Sequence, residues 1–534
     1  MKYKGEIRGS VENYSHYQSE VEGENMIDLV SKYLSQIKKY GLSKTWDNIL
    51  INSLYGSKEY NVENFGELYE IGLEYTNKIL KKEMGKYYTP EDVASLLSNW
   101  LLPLDGINIC DVGCGTGNLI LNYLSKLKYD DAKNLIGGGH VYLYDIDSLA
   151  LKICKYSIAI KYGADLLDKI NDIKCDFLNK KIKLPNNSKV ISNPPYYKIT
   201  EMKSTWKLTD VIKNSKELYS SFMEKIITQS VSSVIITPYS FIGCDKFYSL
   251  RRLMNDYNGF IFSFDNVPGN IFNGRKHGIF NSNSTNSVRA AITVTENKTD
   301  KKGYRISPLI RFKTDERNML LNNELLEQLI NDEYQLVDVK RKAYHKCFIE
   351  LSSIYNAWMN KAENTLSKFI TNKDNGNKCI CVPTTCRYFT VGSSFELKRD
   401  GKRVFYLKDD KYYDYIYTLL NSSFAYWWWR LIDGGINCSM SLIGSIPSIY
   451  NLLNENDKKE LSTIAKDMQK HEKEYLVYKR NAKKMQESIK FPKEYRDKIN
   501  KVFLNALGVD DEPQVFDIIH SSAIFKQNEE GLNE

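Results

Sequence analysis

The sequence contains no apolar run long enough to cross a membrane. Its ten cysteines are scattered, and no secretory signal precedes them, so we expect reduced thiols in a cytoplasmic protein. Cys379, Cys381 and Cys386 lie close together but lack a well-spaced fourth ligand, which argues against a zinc site. These absences argue against an integral membrane protein, a disulfide-stabilised secreted protein and a zinc protein.

The composition favours a globular protein of several domains. A chain of 534 residues is long enough for two to four domains, and its 42% apolar content allows substantial cores. The formal net charge of +8 suits a polyanionic partner if the charge is concentrated on one face. Net charge alone favours an ordinary soluble basic protein over a protein with a polyanionic partner.

A stiff turn follows the short apolar run Lys189–Ile191, which predicts a buried strand. Pro194 and Pro195 end that strand, because each lacks a backbone N–H and has a fixed φ. The turn therefore presents the amide of Asn193, the carbonyl of Pro194 and the ring of Tyr196 at the carboxyl end of a strand. Open α/β folds bind their ligands at that edge of the sheet.

A glycine run follows an earlier predicted strand, residues 107–111, which ends at Asp111. Gly113, Gly115 and Gly117 lack Cβ atoms, so the backbone can turn tightly into a helix and approach a ligand closely. Their spacing differs from the Gly-x-Gly-x-x-Gly of dinucleotide-binding folds. A nucleotide-like ligand without a pyrophosphate is compatible with that difference.

A second predicted strand, residues 140–144, ends at Asp145 and Asp147. An acid at the tip of the second strand binds ribose hydroxyls in doubly wound nucleotide folds. The pattern of strands alternating with helices predicts an α/β, doubly wound sheet.

Asp111-x-Gly113-x-Gly115-x-Gly117 followed by Asn193-Pro194-Pro195-Tyr196 resembles the amino-group DNA methyltransferases. The order of the motifs is similar to that of N6-adenine enzymes in which the cofactor motif comes first and the recognition domain follows. The resemblance covers about residues 80–300 motif by motif. It implies a Rossmann-like methyltransferase domain, S-adenosyl-L-methionine as cofactor and double-stranded DNA as partner, without a metal. It also implies a restriction–modification or orphan modification system, with a separate restriction endonuclease as an optional partner.

The turn suits methylation of an exocyclic amine. The adenine N6 amine is a poor nucleophile, and a protein can activate it by accepting hydrogen bonds from both of its hydrogens. The Asn193 side-chain oxygen and the Pro194 carbonyl can supply those acceptors, and Tyr196 can stack on the base. The base must first be flipped out of the duplex at a cost of a few kcal/mol.

The resemblance also implies which residues bind the cofactor. Thr89, with Pro90 at the first helical position, looks like a helix N-cap. In the family a similar stretch lies over the methionine end of the cofactor. By resemblance, Asp145 rather than Asp147 binds the ribose. The full implied cofactor set is Tyr87, Thr89, Pro90, Asp111, Gly113, Gly115, Gly117, Asp145, Asp176 for the adenine amine and Phe177 for stacking on the adenine ring.

Four segments are predicted: a helical N-terminal segment (1–80), the catalytic domain (81–305), an α+β target-recognition domain (306–450) and a helical C-terminal segment (451–534). Basic and aromatic residues alternate in the third segment, as a DNA-recognition domain would need. A half-buried β domain would show a similar alternation, so this assignment rests mainly on position in the chain. Three tryptophans at 427–429 predict a buried helix. Tyr475, Leu476 and Tyr478 predict an apolar helical stripe in the fourth segment.

Several functions share these motifs. An N4-cytosine DNA methyltransferase acts on an amine with the same two hydrogens, and protein-glutamine and ribosomal RNA methyltransferases use similar Asn-Pro-Pro-Tyr turns. Cytosine-C5 enzymes need a nucleophilic cysteine, and the sequence has no Pro-Cys dipeptide. A non-catalytic specificity module or a fused nuclease is disfavoured by intact Asn193 and Asp111, and by the absence of an Asp…Glu-x-Lys core in the N-terminal segment.

Overall fold

The computed structural model describes residues 20–56, 60–76, 89–266, 269–272, 288–297, 302–313, 315–321, 326, 343–386, 389–433, 438–481 and 484–521. The chain divides into two units, the first formed mainly by residues up to 343 and the second mainly by residues from 344 onward. No helix among the described residues is long and apolar enough to span a membrane.

An eight-stranded sheet organises the first unit. Its strands are β1 (Asn108–Val112), β2 (Val141–Asp145), β3 (Asn171–Lys174), β4 (Ser188–Ser192), β5 (Ser232–Pro238), β6 (Asn258–Phe264), β7 (Ala290–Glu296) and β8 (Gly303–Ile310). The order across the sheet is β3-β2-β1-β4-β5-β7-β6-β8. The five adjacent strands β3, β2, β1, β4 and β5 are parallel, and β7 runs antiparallel to both β5 and β6. The strand order therefore changes direction between β1 and β4.

Helices precede, connect and follow these strands along the chain. They are α1 (Glu20–Tyr40), α2 (Leu42–Leu54), α3 (Val62–Thr76), α4 (Glu91–Leu101), α5 (Asn118–Lys126), α6 (Tyr129–Gly137), α7 (Ser148–Tyr162), α8 (Asp210–Ser215), α9 (Leu218–Gln229), α10 (Tyr248–Met254) and α11 (Arg317–Leu321). All five residues of β4 and four of the five in β1 are buried. Burial of every position shows that both faces of these strands are covered, as in a parallel α/β sheet. The prediction of a doubly wound α/β fold is confirmed.

The N-terminal helices belong to the same unit as the sheet. Trp46 of α2 packs edge-on against Phe65 and Tyr69 of α3. The same core includes Ala150 and Ile153 of α7. The described part of the predicted N-terminal segment (1–80) therefore packs against α7, one of the helices that follow the sheet strands.

The second unit contains short strands and helices around one core. The strands are β9 (Asn364–Thr365), β10 (Ile370–Thr371), β11 (Cys379–Pro383), β12 (Lys402–Leu407), β13 (Pro447–Ser448), β14 (Leu476–Asn481) and β15 (Lys484–Ile489). The helices are α12 (Ser352–Lys361), α13 (Tyr413–Leu420), α14 (Ser423–Ile432), α15 (Met440–Gly444), α16 (Glu455–His471), α17 (Lys493–Leu507) and α18 (Asp517–His520).

Residues on both sides of position 450 share that core, which extends from Cys347 to Ile519. The three tryptophans at 427–429 are buried in α14, which confirms the predicted helix. The helical stripe predicted for Leu476 and Tyr478 is wrong, because these residues lie in β14, which pairs with β15 as a hairpin. Leu476 and Tyr478 are two residues apart, so they share one face of a strand.

Candidate active site

The two sequence motifs meet because β1 and β4 are neighbours. Val112, the last residue of β1, pairs with Ser192, the last residue of β4. Gly113 and Asn193 therefore leave the sheet side by side, and a Cβ atom built on Gly113 would lie 3.7 Å from the Asn193 carbonyl oxygen. This point is the topological switch of the sheet, where open α/β folds bind ligands beyond the carboxyl ends of the strands.

Two hydroxyl groups fix the Asn193 amide. Its Nδ2 donates to Oγ1 of Thr89 over 2.8 Å, and its Oδ1 accepts from the Tyr196 hydroxyl over 2.5 Å. The Tyr196 hydroxyl also lies 3.0 Å from the carbonyl oxygen of Ile236 in β5. Pro194 is buried, and Pro195 is half-buried.

Thr89 does not cap a helix, contrary to the prediction. Helix α4 begins at Glu91, and Pro90 occupies the N-cap position without a side-chain cap. The Thr89 hydroxyl is instead used by Asn193, and the Thr89 carbonyl accepts from Asn118 Nδ2 over 2.6 Å. Thr89 thus bonds both to the turn that contains Asn193 and to the first residue of α5. Tyr87 lies outside the described residues.

The three glycines of the loop all have left-handed backbones, with φ of 76° at Gly113, 53° at Gly115 and 95° at Gly117. Residues other than glycine seldom adopt such angles. A Cβ atom on Gly117 would lie 2.5 Å from Cys154 Sγ, so this glycine allows α7 to pack closely. A Cβ atom on Gly115 would meet nothing within 4 Å, so space is open beside this part of the loop.

Asp111 is a buried carboxyl group at the end of β1. Its Oδ2 accepts from the backbone N–H of Ile120 over 3.1 Å, whereas Oδ1 has no hydrogen-bond partner among the described residues. Burial raises the pKa of Asp111 to about 8; the Ile120 bond opposes the rise and the nearby Asp145 adds to it. An unpartnered buried acceptor is costly unless a ligand supplies a donor.

The two acids at the tip of β2 do different things. Asp145 accepts from the Gly115 N–H over 2.8 Å and from the Asp147 N–H over 2.8 Å. Asp147 is the N-cap of α7, accepting from Leu149 and Ala150, and it also accepts from the Tyr69 hydroxyl. Asp145 therefore lies beside the glycine loop, while Asp147 serves the helix and its packing against α3. The role of Asp145 toward the ribose stays a prediction.

Asp176 and Phe177 already have protein partners. Asp176 accepts from Lys203 Nζ over 2.7 Å and from Trp206 Nε1 over 2.9 Å. The buried Phe177 ring packs edge-on against Tyr144, with centroids 5.8 Å apart. Their roles toward the adenine of the cofactor stay predictions.

An aromatic group surrounds Tyr196 and could not be predicted as a group from the sequence. The ring centroids of Tyr219 and Phe272 lie 6.2 Å and 6.0 Å from that of Tyr196, both at steep angles.

A buried arginine holds the Phe272 segment. Arg317 of α11 binds both carboxylate oxygens of Asp92 in α4, at 2.6 Å and 3.0 Å. It also donates to the carbonyl oxygens of Asn270 and Ile271, each over 2.7 Å. No signal in the sequence links Arg317 with Asp92. Among the described residues, no group of three or more His, Cys, Asp or Glu side chains is placed to hold a metal ion.

Comparison with known proteins matches residues 60–253 to the family model described as N-6 DNA Methylase. A curated relative, the type I restriction enzyme MjaIX methylase subunit of Methanocaldococcus jannaschii, is 30% identical over 142 residues. That alignment covers 26% of this chain and 24% of the relative. The type I restriction enzyme MpnII methylase subunit of Mycoplasma pneumoniae is 22% identical over 296 residues, 51% of each chain.

The chain thus spans about a quarter and about half of the length of these two relatives. Among solved structures, a cryo-electron microscopy structure of a DrdV–DNA complex aligns with a TM-score of 0.41 and 15% identity. That alignment covers 64% of this chain and 42% of the other.

Proposed function

We propose, from the premise that residues 60–253 belong to the N-6 DNA methylase family, that this chain transfers a methyl group from S-adenosylmethionine to N6 of adenine in duplex DNA. The observation that carries the proposal is the adjacency of Gly113 and Asn193 at the switch point of the sheet. A cofactor on the glycine loop and a base at Asn193 would lie beside each other there. The names of the curated relatives favour a place in a restriction–modification system.

The residues present fit S-adenosylmethionine. The unpartnered Oδ1 of Asp111 can accept from the methionine amino group, and the open space beside Gly115 can receive the ligand. Asp145 lies next to that loop, where its carboxylate can accept from ribose hydroxyls in addition to its backbone bonds. When bound, the cofactor supplies a methyl group activated by a sulfonium.

The catalytic turn prepares the nucleophile. The Asn193 oxygen and the Pro194 carbonyl accept from the two hydrogens of the target amine, which makes its lone pair more available. An amide oxygen has two lone pairs, so acceptance from Tyr196 is compatible with a second bond from the base. With the cofactor bound, the amine held by these two acceptors would be positioned to take the methyl group directly, and the proton that N6 gives up would pass to solvent.

The half-buried ring of Tyr196 would provide the aromatic surface for an extrahelical base, and the buried rings of Tyr219 and Phe272 pack edge-on against it and support it. Stacking contributes roughly 1–3 kcal/mol per base, which offsets much of the cost of flipping.

Sequencing of host DNA with and without this gene tests the proposal, because the native cell also provides any partner subunit. We expect N6-methyladenine in a fixed sequence context that disappears with the gene. N4-methylcytosine in its place, or methyl groups lost from protein or ribosomal RNA while DNA is unchanged, would contradict it.

Thr89 is expected to act as a positioning residue. Thr89→Val removes the acceptor of the Asn193 Nδ2 hydrogen bond while keeping the shape of the side chain. Because such a bond contributes about 0.5–1.5 kcal/mol, we expect the variant to lose about two- to twelvefold in kcat. Thr89→Ser keeps the hydroxyl and should restore kcat. The KM for DNA should stay unchanged in both variants. Equal kcat for Val and Ser would show that the hydroxyl has no such role.

Asp145 and Asp147 can be separated by cofactor affinity. Asp145→Asn should weaken binding of S-adenosylmethionine about 10- to 100-fold, since hydrogen bonds to a charged group contribute about 1.5–3 kcal/mol. Asp147→Asn should mainly lower the thermal midpoint, because this acid caps α7 and bonds to Tyr69. Calorimetric titration and thermal unfolding of both variants measure the two effects. The reverse pattern would assign the ribose contact to Asp147.

A further inference from the structure

Strands β14 and β15 form a two-stranded hairpin that is attached to the second unit at only one end. Ile489 at its base is fully buried against Leu397. Two residue pairs further along, Glu487 is buried, and its carboxylate accepts from the Lys398 N–H over 2.8 Å. Beyond the pair formed by Tyr478 and Glu487, the described side chains are exposed or half-buried. The distal part of the hairpin therefore leaves the body of the unit.

Exposed apolar side chains are concentrated on this hairpin. Among the described residues from 344 to 521, the large hydrophobic side chains that are exposed are Val477 at 40%, Tyr478 at 59% and Met485 at 59%. A two-stranded hairpin alone is at best marginally stable in water. Apolar side chains at its distal end contribute no burial free energy unless a partner covers them. Their exposure therefore indicates that the hairpin is a binding element.

The same hairpin is strongly basic. Residues 476–490 contain five lysines and arginines and one acid, Glu487, which is already held by Lys398. The chain as a whole has a formal net charge of +8, so this short segment, with a formal charge of +4, accounts for half of the excess. Positive charge beside exposed apolar groups favours a nucleic acid over a purely apolar partner.

We propose that the β14–β15 hairpin enters the major groove of the DNA, an inference that rests on the proposed function. A two-stranded ribbon fits this groove, which is about 12 Å wide and about 8.5 Å deep. The three residue pairs beyond Glu487 extend the ribbon by about 10 Å at about 3.4 Å per residue, so it can reach the floor. The hairpin lies in the segment predicted to be helical, outside the predicted recognition domain.

The register assigns roles to the two faces. Arg480 pairs directly with Met485, and Tyr478 lies two residues from Arg480, so these three side chains share one face. That face suits base edges, with arginine to guanine and apolar groups to the thymine methyl. Lys479 lies on the opposite face and suits a phosphate.

The test compares charge-reversed variants of the full chain. Lys479→Glu/Arg480→Glu should weaken binding to duplex DNA at least about tenfold at 100 mM salt. The slope of log affinity against log salt concentration should become less steep by nearly two units. Lys459→Glu/Lys466→Glu makes the same charge change on exposed positions of α16 and should have a much smaller effect. Affinity for S-adenosylmethionine and the thermal midpoint should be unchanged in both.

Tyr478→Ala/Met485→Ala gives a second reading, since it leaves the charge intact. It should reduce discrimination between the methylated site and unrelated DNA while the salt dependence remains. If the wild-type chain methylates DNA but both hairpin variants bind and discriminate as it does, the hairpin proposal is overturned and a protein partner becomes the better occupant. If the wild-type chain neither binds nor methylates DNA, the proposed function itself fails.

Discussion

Asn193→Ala is expected to lower kcat for methyl transfer by about 10²- to 10³-fold, the usual loss when one preorganised hydrogen-bonding group is removed from an active site. The variant loses the side-chain acceptor for the target amine and leaves only the Pro194 carbonyl. It also releases the hydroxyls of Thr89 and Tyr196 from their shared partner. Affinity for DNA and for S-adenosylmethionine should change little, because neither depends mainly on this amide.

Single-turnover kinetics separate this loss from a binding defect, since saturating DNA and cofactor would not restore the rate. Asn186→Ala is a matched control, because it removes an exposed asparagine side chain just before β4. A rate within a factor of two of wild type for Asn193→Ala would remove the amine-activation mechanism. A lost rate that high cofactor concentrations restore would move Asn193 to the cofactor site.

The sequence was sufficient to predict the doubly wound fold, the family resemblance and the meeting of the two motifs at one edge of the sheet. Each motif follows a short buried strand, and the rule that ligands bind beyond the carboxyl ends of parallel strands placed Gly113 and Asn193 at one edge. The doubly wound fold and the resemblance to N6-adenine methyltransferases are confirmed. Local patterns carried these predictions because strand, turn and glycine signals all lie within a few residues.

Contacts between distant residues could not be predicted in this way. Thr89 and Asn193 are 104 positions apart, and Thr-Pro before an apolar stretch is also an ordinary helix start. Asp92 and Arg317 are 225 positions apart, and a single charged residue carries no signal for its partner. Such pairs follow from the tertiary fold and leave no periodic pattern.

The β14–β15 hairpin shows a different limit. Its apolar residues matched a helical stripe, and its tip lacks the Asn-Gly or Asp-Gly pair that marks a tight hairpin. The deciding fact is the pairing of Leu476 with Ile489, which buries Ile489 against the rest of the unit. Tertiary packing therefore overrode a short and ambiguous local pattern.

The buried carboxyl group of Asp111 leads to a second large effect. Its pKa is raised to about 8 in the folded chain, from an ordinary value near 4. Between about pH 4 and about pH 8 the folded state holds a proton on Asp111 that the unfolded state has released. In that range the free energy of unfolding falls by up to about 1.4 kcal/mol for each unit by which the pH rises. The stabilisation is fully present below about pH 4 and is lost as the pH rises through about 8.

Asp111→Asn removes this titration. Without cofactor, its thermal midpoint relative to wild type should rise steadily from pH 5 to pH 8, so that the variant is the more stable protein at pH 8. Asp256→Asn, which neutralises an exposed carboxylate, should show no such trend. A midpoint difference that does not change with pH would contradict the raised pKa of Asp111.

The same substitution should weaken binding of S-adenosylmethionine at least about tenfold, since a charge-assisted bond to the methionine amino group is lost. Wild type should therefore gain more in thermal midpoint from added cofactor than Asp111→Asn does. If removing the Asp111 carboxylate stabilises the cofactor-free protein and weakens cofactor binding, the carboxylate serves binding rather than stability. Removing a group with a purely structural role would lower both the stability and the cofactor affinity. If Asp111→Asn has a higher thermal midpoint but binds the cofactor as tightly as wild type, Asp111 is a buried acid without a role in cofactor binding.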